Sequence, residues 1–116
     1  KGIIMSSTTL ARGNVQEAFI MAPTLTPSAM TTASVQSLQT FQIPGLKASD
    51  ICTVLQYNGN QTSNVAITNA DATADNTLQI QFQNTSGGAT AITPAAGVYY
   101  IKVHRVEGAP IATNAA

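Results

Sequence analysis

Few side chains in this chain are equipped for chemistry. His104 is the only histidine and Cys52 the only cysteine among 116 residues. A catalytic histidine needs an oriented partner and a reacting group within hydrogen-bond reach. The sequence near His104 supplies neither a nucleophile nor a second ligand, so it reads as a surface strand histidine. Cys52 lies in an apolar run with no cationic neighbour to lower its pKa, and reads as a small buried apolar residue. Asn69, Asp71, Thr73 and Asp75 form an alternating oxygen-bearing series. A calcium loop of that kind needs a sixth-position Gly and a twelfth-position Glu, both missing here, so the series reads as a turn. Tyr57, Tyr99 and Tyr100 suggest a sugar-stacking platform, but strand alternation sends Tyr99 and Tyr100 to opposite faces. Asn60-Gln61-Thr62 and Asn84-Thr85-Ser86 are glycosylation sequons that matter only in a secreted protein. The expectation is a protein that is not an enzyme, with no catalytic set, cofactor or metal.

The composition points to contact rather than catalysis. Charged residues make up 9% of the chain and the formal net charge is +0, whereas an ordinary soluble domain carries about 25% charged residues. Thr, Ser, Asn and Gln stand in their place. No Lys/Arg stripe is present to neutralise phosphates, which argues against direct nucleic-acid binding. The apolar runs at residues 2–5 and 18–22 are far shorter than the roughly 20 residues that span a bilayer. The first also breaks at once into Ser6, Ser7, Thr8 and Thr9, too soon for a signal-peptide core. No membrane partner and no export are expected, and a single cysteine, unable to form an internal disulfide, fits folding in a cytoplasm.

The elements that would position these groups are strands. Over residues 77–83, Leu78, Ile80 and Phe82 alternate with Gln79, Gln81 and Gln83, giving one apolar face and one uncharged polar face. The glutamines suit either a solvent face or a polar interface. Over residues 98–106, Tyr99, Ile101 and Val103 fall to the core side and Tyr100, Lys102 and His104 to the other. Further runs are 35–43, with Phe41 and Ile43 in phase; 51–57; 64–69, with Val65 and Ile67 in phase; and a weaker one at 24–30. Pro44-Gly45 suits a type II turn, and Asn58-Gly59 is a hairpin signal whose polar continuation to Ser63 lengthens the loop. This succession predicts an all-β fold, a small antiparallel β-sandwich of Greek-key or jelly-roll type, spanning residues 23–110 with five to seven strands. Residues 1–22 read as an extended N-terminal arm, although Asn14 and Glu17 have capping-box spacing for a short helix. The apolar patch Phe19, Ile20 and Met21 would dock on a neighbour or cover one end of its own sandwich. Residues 111–116 read as a flexible tail.

Three segments carry a family resemblance: Gln39-Thr40-Phe41-Gln42-Ile43-Pro44-Gly45-Leu46-Lys47-Ala48-Ser49-Asp50, Asn76-Thr77-Leu78-Gln79-Ile80-Gln81-Phe82-Gln83-Asn84-Thr85, and Gly97-Val98-Tyr99-Tyr100-Ile101-Lys102-Val103-His104-Arg105. Together they make residues 23–106 resemble small virion proteins of tailed bacteriophages, of the capsid decoration (cement) or head-fibre base type. The resemblance implies a structural protein made in the host cytoplasm and carried on the outer capsid surface. There it would stabilise the head by bridging major capsid proteins, often as a homotrimer. Phe19, Ile20, Met21, Gln79, Gln81 and Tyr100 are the expected capsid or oligomer contacts. The alternative is a carbohydrate-binding or adhesin-type module of a head or tail fibre, using Tyr57 or Tyr100.

Overall fold

A computed structural model describes residues 16–31, 36–87 and 90–106. Residues 1–15 of the expected arm, with the Asn14 cap, and the tail at 111–116 lie outside the described residues. The chain forms seven strands: β1 (Gln16–Met21), β2 (Thr24–Leu25), β3 (Gln36–Gln42), β4 (Ile51–Tyr57), β5 (Val65–Ala74), β6 (Thr77–Asn84) and β7 (Gly97–Val106). They build two antiparallel sheets packed face to face as a β-sandwich, with no helix among the described residues.

Strand β7 is the centre of the first sheet. One edge pairs with β4 and the other with β1 and β2. β1 and β2 share a single register, running from Gln16↔Val106 through Met21↔Ile101 to Leu25↔Gly97. Tyr99 N donates to Pro23 O at 3.0 Å across the gap. Residues 16–25 thus form one edge strand interrupted at Ala22-Pro23, and an edge is where a residue lacking an N–H is tolerated. In the second sheet β6 is central, flanked by β3 and β5. The β3 edge is covered by the chain before it: the Gln39 amide accepts from Ser28 N at 2.7 Å and donates to Ser28 O at 2.9 Å. A side-chain amide here replaces the ladder that an open edge lacks.

The core forms where β6 and β7 face one another. Leu78, Ile80, Phe82, Tyr99, Ile101 and Val103 are each 2% exposed or less. Each such burial stabilises by about 1.5–3 kcal/mol. Phe19, Met21, Phe41, Val54 and Ile67 close the layer from the flanking strands. Cys52 lies within the core, where burial pushes its thiol up to about 11, so it stays protonated at neutral pH.

The connections mostly cross between sheets. β3 and β4 are consecutive and lie in different sheets, and they pair with β6 and β7, which are also consecutive. The two crossings therefore tie the same two ladders together at both ends of the pairing. The first crossing opens with the expected type II turn: Gly45 has φ 96° and Leu46 N donates to Ile43 O at 3.2 Å.

Three expectations are corrected. Residues 16–21, expected as part of the arm, are a paired strand whose Phe19 and Met21 pack on the core of their own sandwich, the second of the two places expected for that patch. Asn58-Gly59 does not close a hairpin, because β4 and β5 belong to different sheets. The turn expected over 69–75 is strand instead, β5 running on to Ala74 through register shifts at Ile67/Asn69 and Ala72/Ala74. The reversal comes at Asp75-Asn76, where Asn76 takes φ 60° and so closes a two-residue hairpin to β6.

Phe82 is fully buried, so Phe82→Ala should lower unfolding free energy by about 3–5 kcal/mol in urea titration. Leu38→Ser, on an exposed position of the same sheet, should change it by less than about 0.5 kcal/mol.

Candidate functional site

The strongest electrostatic feature joins residues far apart in sequence. Arg105 on β7 donates from Nε to Asp50 Oδ1 at 2.8 Å and from Nη2 to Asp50 Oδ2 at 2.6 Å. This is the bidentate fork that Arg geometry favours. Nη2 also donates to Gly45 O at 2.8 Å, and the guanidinium carbon lies 5.1 Å from the centre of the Phe19 ring. Asp50 accepts from Lys47 N at 2.9 Å, and its side chain is 0% exposed. The Arg105 hydrogen bonds hold the Asp50 carboxyl below its ordinary range, against the opposing effect of burial. The β5–β6 turn reaches the same crossing: Asn76 Oδ1 accepts from Gly45 N at 2.9 Å and Asp75 Oδ1 from Ala48 N at 3.0 Å.

The opposite end of the sandwich is held by neutral groups. Tyr99 OH donates to Ala95 O at 2.6 Å and accepts from Gln61 Nε2 at 3.0 Å. Tyr57 OH donates to Ala96 O at 2.7 Å, its ring centre 5.0 Å from that of Tyr99. A Cβ at Gly97 would stand 2.8 Å from the Tyr57 hydroxyl, so glycine is required there both for space and for its φ of 145°. Buried Asn84 donates to Met30 O at 3.3 Å and Thr90 O at 2.9 Å. Its amide is therefore structural and closed to a glycosylating enzyme.

These networks leave two outward faces. On the first sheet, cross-strand rows place Ile20, Lys102 and Thr53 together, then Ala18, His104 and Ile51, with Tyr100 and Gln56 beyond. Ile20 is 62%, Ile51 52% and Leu55 48% exposed, the last at the register shift in β4. Ile51, Thr53, Leu55, Lys102 and His104 line a shallow depression of about 280 Å³. On the second sheet the rows are Leu38, Gln81, Asn69 and Thr40, Gln79, Asp71. This face is polar and uncharged apart from Asp71, with Leu38 standing out at 61% exposure.

The six expected contact residues do not form one surface. Phe19 and Met21 turn inward against the core. Ile20 and Tyr100 lie on the outer face of the first sheet, and Gln79 and Gln81 on that of the second. The tyrosine platform does not assemble either: Tyr57 lies on the Tyr99 side with its hydroxyl committed to Ala96, and Tyr100 lies on the other. Ile51, Leu55 and Leu38 are outward residues that sequence reasoning missed. The run Ile51–Tyr57 lacks alternation, so its phase is set by pairing with β7. Among the described residues no group of three or more His, Cys, Asp or Glu could hold a metal ion. The arrangement can do adhesion: one face with apolar side chains on both sides of a central amine and imidazole, and a separate amide-rich face.

Because the folded-state pKa of Asp50 is depressed, its contribution is complete above the unfolded carboxylate range and is lost as pH falls below about 4 toward the folded value. Wild-type stability should therefore decline on acidification, and Asp50→Asn should flatten that limb, by at most about 1.4 kcal/mol per pH unit for one proton. Urea titrations at several pH values read this directly; an unchanged slope would contradict it.

No family model, curated protein or solved structure matches the chain.

Proposed function

We infer that this protein is a structural component of a virion, a decoration or cement protein that binds the assembled capsid of a tailed bacteriophage and associates with copies of itself. The observation that supports this most is that exposed Ile20, Ile51 and Leu55 share one sheet face of a chain with so little charge. Large exposed apolar side chains gathered on one face favour a protein partner over solvent. The sequence resemblance supplies the virion; the neutral faces suit close packing, since burying unpaired charge costs several kcal/mol while amides and hydroxyls can pair locally.

Binding only the assembled shell stabilises it by mass action, RT ln(1 + [L]/Kd) per site. Symmetry repeats a modest contact over many copies, and self-association adds avidity without new contacts. The role asks for binding and positioning, with no reaction, cofactor or nucleic acid.

Mixing the purified protein with bare capsids and with a glycan panel tests the reading. Saturable capsid binding is expected, weakened at least tenfold by Ile20→Ser with Ile51→Ser, with no glycan retained. Glycan binding abolished by Tyr100→Ala, without capsid binding, would overturn it in favour of a carbohydrate-binding module.

A further inference from the structure

The two outer faces differ in a way that makes them complementary to each other. Among the described residues, the ionisable side chains on the face of the first sheet are Tyr100, Lys102 and His104, with no carboxylate, and on the second the only charged one is Asp71. Neither Lys102 nor Asp71 has an ion-pair partner among the described residues, where the salt bridge is Asp50–Arg105. Shape follows the same division. The first face carries the depression bordered by Ile51, Leu55, Lys102 and His104, and the second carries Leu38 as a projecting apolar side chain.

We propose that the outer face of the second sheet of one copy docks on the outer face of the first sheet of another, Leu38 entering the Ile51–Leu55 depression and Asp71 meeting Lys102. Pairing of like faces is disfavoured, because it sets Lys102 against itself, or Asp71 against itself. The contact is head-to-tail, and the two faces of one sandwich point in opposite directions. It therefore propagates as an open stack and does not close into the trimer that the resemblance implies. Three strands about 5 Å apart and some six residues long give roughly 300 Å² per face. A pair then buries roughly 600 Å², short of the ~1,200 Å² of a stable interface. The contact is weak between free copies, and because it uses the first-sheet face assigned above to the capsid, a copy held to a capsid by that face offers a neighbour only its second-sheet face. It involves no capsid, so it stands or falls separately from the virion reading.

Sedimentation velocity of the full chain from micromolar to millimolar concentration tests it. Wild type should show a mass that rises continuously with concentration. Lys102→Glu and Asp71→Lys should each weaken this about tenfold, and mixing the two variants should restore it, because each then offers the other a complementary face. Leu38→Ser should weaken it without a charge change. All these positions are exposed, and unchanged thermal unfolding confirms that the variants are folded. A closed trimer indifferent to these changes, a monomer at every concentration, or failure of the mixture to recover overturns the proposal.

Discussion

The ion pair between Asp50 and Arg105 is the contact on which the arrangement of the sandwich turns. One guanidinium is bound to the end of the first crossing through Asp50, to its beginning through Gly45 O, and lies against Phe19 on the edge strand. Arg105 is itself part of the central strand β7. Three segments, the β3–β4 crossing, β7 and β1, therefore share one charge. Asn76 and Asp75 bring the β5–β6 turn to the same crossing through its backbone N–H groups. The opposite end lacks this focus and is held by tyrosine hydroxyls, Gln61 and Asn84.

Concentrating charge at that end has a consequence for the faces. Two of the chain's ten charged residues are committed to the ion pair, and Lys47 and Asp75 sit beside it in turns. The broad sheet faces are left with Lys102 and Asp71 alone among Lys, Arg, Asp and Glu in the described residues. A face of amides, hydroxyls and scattered apolar groups loses little by dehydration compared with a charged one. That property is what the proposed assembly role would draw on.

Local alternation made much of the fold legible in the sequence. The phases of β6 and β7 could be read from Leu78, Ile80, Phe82 and from Tyr99, Ile101, Val103, because both strands are buried on one side only. Pro44-Gly45 gave its turn type through residue chemistry alone. What stayed hidden depended on partners distant in sequence. Phe19 and Met21 looked like a detached patch because their partners, Val103 and Ile101, come more than 75 residues later. Asn58-Gly59 has the local chemistry of a hairpin, yet β7 takes β4 as its partner and overrides it. The ion pair spans 55 residues and leaves no local signal. The outward faces were legible only in part: Tyr100 and Gln79 followed from alternation, whereas Ile51 and Leu55 required the register of β4 against β7.

The coupling of β1, the β3–β4 crossing and β7 through one charge is tested most directly by native-state hydrogen exchange on wild type and Asp50→Asn. The amides of β1, of residues 44–50 and of the first half of β4 should lose protection together in the variant, while those around Tyr57, Tyr99 and Gln61 keep theirs. Loss confined to the amides that touch Asp50, with β1 as protected as before, would contradict that coupling.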